Sequence, residues 1–393
     1  MNARFSSVLP AASAGFDAER LQRVRELLDQ DIAAERYDGA TLLVARDGEL
    51  AFEHTVGFAD RAQARALQSD DVFVTFSIAK QFVHALVLNR IERGDLMLTT
   101  RVTDLIPEFG CRGKENITVW HLLTHTSGLP LKLPAMPDPM QFGHLATVVA
   151  ATCASMVEFI PGERVYYSGI AGAAILGELL RRAEGSTRSL RDLMAQDLFE
   201  PLGMKDTSLG LRADLAPRLA PVIARDRRAG ISMAEEYEMM AMFVTADAEI
   251  PALGCVSTAA DMMRFATLLR NRGQLDGQRL LSPAMLELAL RNQTGDKPNE
   301  MLSYTLGQRG WQPFPASLGL GFFLRGAGVH PHPFGTLASA STYGGLGAGS
   351  NMFWVDPQRD VSCVFMSAGL VTDESRNIDR LQRISDAVLA SAL

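Results

Sequence analysis

The sequence is poor in cysteine and contains no long apolar run. Its 393 residues include four widely separated cysteines, Cys111, Cys153, Cys255 and Cys363, and no Cys-x-x-Cys pair. This spacing argues against a disulfide framework or a zinc motif and predicts buried free thiols. Every apolar stretch meets a charged residue or a glycine well before the roughly 20 residues that a membrane helix needs. We therefore expect no membrane partner.

Positive charge is also scarce. Lys and Arg total 38 against 45 Asp and Glu, a net charge of -7, and no basic run could follow a phosphate backbone. Nucleic acid is therefore not expected as a partner. Residues 1–7 lack the continuous apolar segment of a signal peptide, which predicts a cytoplasmic location. With 47% hydrophobic residues, the chain can fill the core of a large protein or of two domains.

Apolar periodicity predicts strands near both ends of the chain and helices between them. Residues 18–37 have helical spacing, two strands meet at Asp47-Gly48, and residues 79–93 form an almost wholly apolar helix. Further helices are predicted at 145–159, 169–183, 189–198 and 258–272. Short strands follow at 318–324, 352–355 and 361–366, then a polar loop at 372–377 and a final helix at 378–393. This order predicts an α/β domain built from both termini with a helical insertion.

Ser77 and Lys80 are the first residues that could carry chemistry. Residues three apart on a helical turn share one side, so the Lys80 amine can reach the Ser77 hydroxyl. Serine is a weak nucleophile without a base beside it. A lysine desolvated by an apolar helix can be that base, because burial disfavours its charged form. The pair also arises by chance, so alone it is a weak motif.

Three later segments support the pair. They are Val119-Trp-His-Leu-Leu-Thr-His-Thr-Ser-Gly-Leu129, Pro161-Gly-Glu-Arg-Val-Tyr-Tyr-Ser-Gly169 and Ser341-Thr-Tyr-Gly-Gly-Leu-Gly-Ala-Gly-Ser350. Together they resemble the serine β-lactamase and penicillin-binding superfamily, and within it the class C-like esterases called family VIII carboxylesterases. The resemblance covers nearly the whole chain.

The resemblance implies a β-lactamase-like α/β fold, in which helices flank an antiparallel sheet and a mostly helical domain is inserted. We therefore predict a discontinuous α/β domain of residues 1–99 and 295–393 and a helical domain of residues 100–294. The active site is expected between the two domains.

The resemblance also implies catalytic roles. Ser77 would form an acyl-enzyme, Lys80 would help to deprotonate it, and Tyr167 would relay a proton to the leaving group. Tyr166 is the alternative, although Tyr167 precedes a serine as in the family motif. Positive charge on Lys80 could lower the pKa of Tyr167 from its usual value near 10. One departure is Gly169, which stands where many members have an asparagine that orients amide substrates.

The third motif departs from the family as well. It usually starts with Lys or His, whereas the best match here is Tyr343-Gly344-Gly345, preceded by Thr342. The esterase branch and a related acyltransferase branch can carry this aromatic variant. We therefore predict that Thr342, Tyr343 and Gly344 bind substrate.

An oxyanion hole is predicted on the same strand. By resemblance, it consists of the backbone N–H groups of Ser77 and Leu346, with Gly345 as the alternative if the register slips by one. Glycines in such a strand would permit the close approach of a substrate.

The remaining conspicuous residues are not expected to act in catalysis. His121 and His125 are spaced i, i+4, but Leu122 stands where a zinc hydrolase needs Glu, so helix-end packing is predicted and no metal. His330-Pro-His332 indicates a loop. A methionine cluster is predicted to fill the core, with the lining of an acyl pocket as the alternative; it comprises Met239, Met240 and Met242.

The predicted function is that of a serine hydrolase cleaving short or medium neutral carboxylic esters through an acyl-Ser77 intermediate, with no cofactor and with the ester as its small-molecule partner. An acyltransferase would use the same residues. A β-lactamase or D-amino-acid peptidase would need a cation for the substrate carboxylate, and Arg325 and Arg309 are the candidates. An inactive binding protein is the fourth alternative. The sequence does not indicate an oligomeric state.

Overall fold

The computed structural model describes residues 8–133, 139–185, 187–228, 230 and 232–393. The strands in this part of the chain are β1 (Gly39–Arg46), β2 (Glu49–Asp60), β3 (Arg65–Ala66), β4 (Phe73–Val74), β5 (Ser208–Leu209), β6 (Ala224–Asp226), β7 (Cys255–Ser257), β8 (Gln274–Leu275), β9 (Gln278–Arg279), β10 (Phe323–Leu324), β11 (Tyr343–Gly347), β12 (Asn351–Asp356), β13 (Val361–Ala368) and β14 (Leu370–Val371).

The α-helices of the described residues lie mostly in the middle of the chain, with α1 before the first strand and α13 after the last. They are α1 (Ala18–Ala33), α2 (Ala79–Glu92), α3 (Val102–Leu105), α4 (Val119–Leu123), α5 (Leu145–Ala154), α6 (Gly169–Glu184), α7 (Leu190–Met194), α8 (Ala234–Met240), α9 (Pro251–Gly254), α10 (Ala259–Arg270), α11 (Pro283–Ala289), α12 (Ser303–Arg309) and α13 (Glu374–Ser391). None of them, within the described ranges, combines the length and the hydropathy that crossing a bilayer requires.

The main sheet joins the two ends of the chain. Its seven strands run in the order β10-β11-β12-β13-β1-β2-β3, and all neighbouring pairs are antiparallel. The β1–β2 hairpin turns at Asp47 and Gly48, whose φ angles of 56° and 78° are the left-handed values that a tight hairpin turn requires. The predicted hairpin and the antiparallel sheet flanked by helices are both confirmed.

Successive side chains of each strand point to opposite faces of the sheet, and a hydrophobic core lies on each face. Leu42 and Val44 of β1 face a core shared with α1 and α13, whereas Leu43 and Ala45 face a larger core shared with α2 and α10. Helix α10 belongs to the predicted helical domain of residues 100–294, yet it packs on strands β12 and β13 of the predicted α/β domain. The predicted division into two domains stays a prediction.

The start of the last helix corrects the sequence prediction. Residues 372–377 were expected to form a polar loop, but α13 already begins at Glu374. The Asp373 side chain accepts hydrogen bonds from the N–H groups of Ser375 and Arg376, so it caps this helix. A polar first turn after an N-cap resembles a loop in composition, and this explains the error.

Candidate active site

Ser77 lies where a short strand passes into the most deeply buried helix. A single 3-10 turn, Phe76–Ile78, carries it and continues directly into α2. The preceding strand β4 pairs with β7, and the backbone N–H of Thr75 extends that pairing with a 3.0 Å hydrogen bond to the Cys255 carbonyl. The backbone is therefore held on both sides of Ser77, while the residue itself stays partly exposed.

The backbone immediately before Ser77 is strained. Phe76 has a φ of 48°, in the left-handed region that a bulky non-glycine residue rarely adopts. Such a conformation costs on the order of 1 to 3 kcal/mol and persists only where the surrounding structure imposes it. Strain of this kind clusters at functional sites, which supports the choice of Ser77.

Tyr167 is the tyrosine that reaches Ser77. Its hydroxyl donates a hydrogen bond of 2.7 Å to Ser77 Oγ. Tyr166 instead packs edge-on against Phe159, with the ring centroids 4.9 Å apart. The geometry therefore favours Tyr167 over Tyr166.

Lys80 lies beside this pair in an apolar setting. Its side chain is fully buried, and Nζ has no hydrogen-bond partner among the described residues. Nζ lies 4.8 Å from the centre of the Tyr167 ring. Burial lowers the pKa of Lys80 well below its usual value, so proton loss from the amine is easier than in water.

The electrostatic relation between Lys80 and Tyr167 differs from the prediction. Lys80 was expected to lower the pKa of Tyr167, but burial raises the pKa of Tyr167, and only its hydrogen bond with Ser77 opposes this. Tyr167 is thus held as the neutral phenol, able to donate its proton. Lys80 in turn becomes the candidate base, because its amine can be neutral.

Gly169, which stands at the position of the family asparagine, leaves room for the Tyr167 ring. A Cβ built on Gly169 would lie 2.5 Å from a ring carbon of Tyr167. Any side chain at this position would therefore push the Tyr167 ring away from Ser77.

His125 belongs to the same cluster, although sequence reasoning assigned it to helix-end packing. Its ring centre lies 4.7 Å from that of Tyr167, its φ is 52°, and its Nδ1 has no partner within the described residues. Burial lowers the pKa of His125, and His84 and Lys80 lower it further. The sequence signal for this position is the segment Val119–Leu129, which is one of the motifs that resemble the family.

His84 also belongs to the cluster, with its ring centre 6.4 Å from that of His125. It lies 3.0 Å from the Gly321 carbonyl oxygen through Nδ1, and burial lowers its pKa to about 4. Neutral rings of Tyr167, His125 and His84 thus lie in the neighbourhood of Lys80.

The glycines of β11 allow this strand to pack against the segment that carries Ser77. A Cβ on Gly345 would lie 2.7 Å from Oε1 of Gln81, and one on Gly347 would lie 2.5 Å from the Thr75 carbonyl oxygen. The glycines were predicted to make room for substrate. In the structure, those at 345 and 347 make room for the turn before α2 and for α2 itself.

The direction of the β11 backbone distinguishes Leu346 from Gly345. The Thr342 carbonyl accepts a bond from the Arg325 N–H on the β10 side. Since backbone groups of alternate residues point to the same strand edge, Leu346 directs its N–H to that side, where pairing with β10 ends at Gly344. Gly345 directs its N–H to β12. The strand geometry thus favours Leu346 as the oxyanion donor.

Two predicted substrate-binding side chains are not brought to the site. Thr342 is fully buried, and its hydroxyl lies 3.2 Å from that of Ser339. Tyr343 is 2% exposed and packs against Phe322 in the core. Gly344 has no room for a side chain, because a Cβ there would lie 2.0 Å from the Phe353 carbonyl oxygen. Strand β11 can therefore contact a ligand through its backbone and not through the side chains of Thr342 and Tyr343.

The two candidate cations for a substrate carboxylate are engaged elsewhere. Arg325 is buried and donates to the carbonyls of Gly335 at 2.8 Å and Gly328 at 3.1 Å. Arg309 donates to Ser375 Oγ at 2.7 Å and pairs with Asp379.

The other conspicuous residues have structural partners. His121 Nδ1 accepts from the Thr118 N–H at the start of α4, as helix-end packing predicts, and His330 and His332 lie outside regular structure. All four cysteines are free; three are buried, and Cys111 is partly exposed. Met239 and Met242 are exposed, so the core-filling prediction is wrong for them, whereas Met240 packs against the core.

Comparison with known proteins agrees with this geometry. A family model described as Beta-lactamase matches residues 24–387. The chain is 32% identical over 220 residues to esterase EstB of Burkholderia gladioli, covering 51% of this chain and 54% of the esterase. It is 30% identical over 265 residues to penicillin-binding protein 4 of Amycolatopsis lactamdurans, covering 65% and 66%. The matches thus span about half and about two thirds of these relatives.

Solved structures share the fold over nearly the whole chain. A penicillin-binding protein homologue from Caulobacter crescentus has a TM-score of 0.78 at 26% identity. The match covers 96% of this chain and 99% of the homologue. A family VIII carboxylesterase has a TM-score of 0.72 at 22% identity, with 94% and 99% covered. The predicted fold class is therefore confirmed.

Proposed function

The chain belongs to the β-lactamase family of serine hydrolases, and on that premise we propose that it cleaves neutral carboxylic esters through an acyl-Ser77 intermediate. One observation carries the proposal. The Tyr167 hydroxyl donates to Ser77 Oγ at 2.7 Å, beside a buried Lys80 amine that has no partner among the described residues. A nucleophile, a proton donor and a desolvated base are thus within one cluster. A protein that only binds ligands has no need for this combination.

The acylation step can be written with these groups. Ser77 Oγ attacks the ester carbonyl carbon while its proton passes to Lys80 Nζ, which closes on the hydroxyl when substrate is bound. The oxyanion that forms accepts hydrogen bonds from the N–H groups of Ser77 and Leu346. As the C–O bond breaks, Tyr167 gives its proton to the departing alcohol and recovers one from Lys80. Water then repeats the sequence on the acyl-enzyme and releases the acid.

The absence of a free cation at the third motif supports a neutral substrate. Thr342 and Tyr343 stand where Lys or His would hold a carboxylate, and Arg325 and Arg309 are occupied by protein groups. An anionic substrate would lose solvation without gaining a charged partner, whereas a neutral ester loses much less.

Substrate charge therefore provides a test. We expect short neutral esters of activated alcohols to show a kcat/KM at least about a hundredfold higher than benzylpenicillin, or about 2.7 kcal/mol in the barrier. Parallel kinetics on the two substrates would measure this ratio. Comparable values would assign the site to a β-lactamase or a peptidase instead.

Tyr167→Phe tests the proton donor. The change keeps the ring that contacts His125 and removes only the oxygen bound to Ser77, so we expect kcat to fall about a hundredfold, within the range of general acid–base catalysis. Tyr166→Phe is the matched control and should stay within about twofold. A larger loss in the control would identify Tyr166 as the donor.

The acyl-enzyme itself can be trapped. Mass spectrometry after treatment with a fluorophosphonate and with a panel of small esters should find one adduct, on the peptide containing Ser77. An inactive binding protein would give no adduct. Product analysis with a competing alcohol would then separate hydrolysis from acyl transfer by the same site.

A further inference from the structure

Five arginines surround a cavity of about 300 Å³ beside α13, and its lining includes none of the residues of the Ser77 site. The lining also contains two aspartates, Asp226 and Asp379. The arginines are Arg36, Arg309, Arg376, Arg380 and Arg383.

Four of these arginines have carboxylate partners. Arg376 pairs with Asp226 at 2.7 Å and Arg309 with Asp379 at 3.2 Å. Arg36 and Arg383 both pair with the buried Asp31, each at 2.7 Å. These contacts leave five guanidinium groups against three carboxylates.

Arg380 is the exception. It is 5% exposed, and no carboxylate of the described residues lies within salt-bridge distance of it. Its terminal nitrogens donate to Gly349 O at 3.0 Å, Asn377 Oδ1 at 2.7 Å and Ser367 Oγ at 3.3 Å. Nε has no partner in the described part of the chain. The Asp31 carboxylate acts on Arg380 only from beyond that distance and already pairs with Arg36 and Arg383. Positive charge therefore remains in excess, and an anion in the cavity would stabilise this arrangement.

The inner wall around Arg380 is aromatic. Its guanidinium lies over the rings of Tyr37 and Phe365, at 4.8 Å and 5.3 Å from their centres. Burial raises the pKa of the Tyr37 hydroxyl, and the nearby Asp31 carboxylate raises it further. Burial lowers the pKa of Arg380 only to about 10, so the side chain stays charged at neutral pH.

We propose that this cavity binds a phosphate dianion, either free or at the end of a small monoester. The two surplus positive charges match a dianion, and the guanidinium fork donates hydrogen bonds in the geometry that phosphate oxygens accept. The volume of about 300 Å³ accommodates a phosphate with a small substituent. The site is independent of the ester chemistry at Ser77.

Calorimetric titration of the full chain at fixed ionic strength tests this site. The probes are inorganic phosphate, phenyl phosphate and acetate. We expect one saturable phosphate site per chain and at least about tenfold weaker binding of acetate. Binding of inorganic phosphate alone would identify the free ion as the ligand, and binding of both phosphates would identify the monoester end. If neither phosphate binds saturably, the proposal is wrong.

Two variants locate the binding at the cavity. Arg380→Gln removes the unpaired charge and should weaken phosphate binding at least tenfold. Asp379→Asn removes a competing carboxylate from the rim and should tighten binding severalfold, a gain that partial unfolding could not produce. Arg291→Gln, at an exposed arginine paired with Glu287, is the matched control and should bind as the parent does. Unchanged affinity in both cavity variants would place the phosphate elsewhere and overturn the proposal.

Discussion

Replacing Ser77 by alanine is expected to lower kcat/KM for a short neutral ester by at least about a thousandfold, which corresponds to roughly 4 kcal/mol of lost transition-state stabilisation. The change removes the oxygen that forms the acyl bond in the proposed mechanism. It also leaves the Tyr167 hydroxyl without the acceptor that lies 2.7 Å away. The loss of that hydrogen bond should cost about 1 kcal/mol of stability, far too little to unfold the protein.

Steady-state kinetics and thermal melting of the purified Ser77→Ala variant check this expectation together. Ser69→Ala is the matched control, because Ser69 is exposed and precedes the same short strand β4. It should keep full activity. If Ser77→Ala retained more than about a hundredth of the parent activity, the nucleophile would have to be another residue.

The elements that local physics determines were predictable from the sequence. The turn residues Asp47 and Gly48 predicted the β1–β2 hairpin, and the apolar run after Ser77 predicted the buried helix α2, because both depend on neighbours within a few residues. The boundary between the predicted polar loop and the last helix was misplaced, because the Asp373 side chain caps the helix. It does so by accepting hydrogen bonds from N–H groups two and three residues later. Composition does not distinguish such a cap from a loop.

The candidate site was predictable only in part, for a related reason. The spacing of Ser77 and Lys80 is local, but the charge state of Lys80 depends on what packs around it. Its neighbour His84 lies on the same helix, but His125 and Tyr167 come from two other segments of the chain. The same holds for Tyr343, which was expected at the substrate and instead fills the core against Phe322. A side chain's environment is a tertiary property, and the motif alone does not contain it.

Lys80→Met is expected to abolish activity and at the same time to stabilise the fold. Removing the candidate base should cost about as much rate as Ser77→Ala, because residues that act as a unit fail together. Yet the Lys80 amine is fully buried and has no hydrogen-bond partner among the described residues, so a methionine of similar shape should raise the free energy of unfolding by about 1 to 3 kcal/mol at neutral pH.

The pH dependence has a definite sign. Burial lowers the pKa of Lys80 in the folded chain, whereas the unfolded chain keeps the usual value of 10.5. Between the lowered pKa and 10.5 the unfolded state binds more protons, so the parent gains stability as pH rises through this window. The advantage of Lys80→Met should therefore shrink from pH 7 towards pH 10. The ester rate of the parent should fall as pH drops through the lowered pKa, because the base becomes protonated.

Urea unfolding at several pH values, alongside kinetics, measures both effects in one preparation. Lys114 provides the matched control, since it is equally buried but its Nζ donates to the Ser155 carbonyl at 2.5 Å. Lys114→Met leaves that carbonyl unpaired, so it should lose stability and keep its activity. A Lys80→Met variant that lost stability would show that the amine has a partner in solution. One that kept more than about a tenth of the activity would show that Lys80 is not the base.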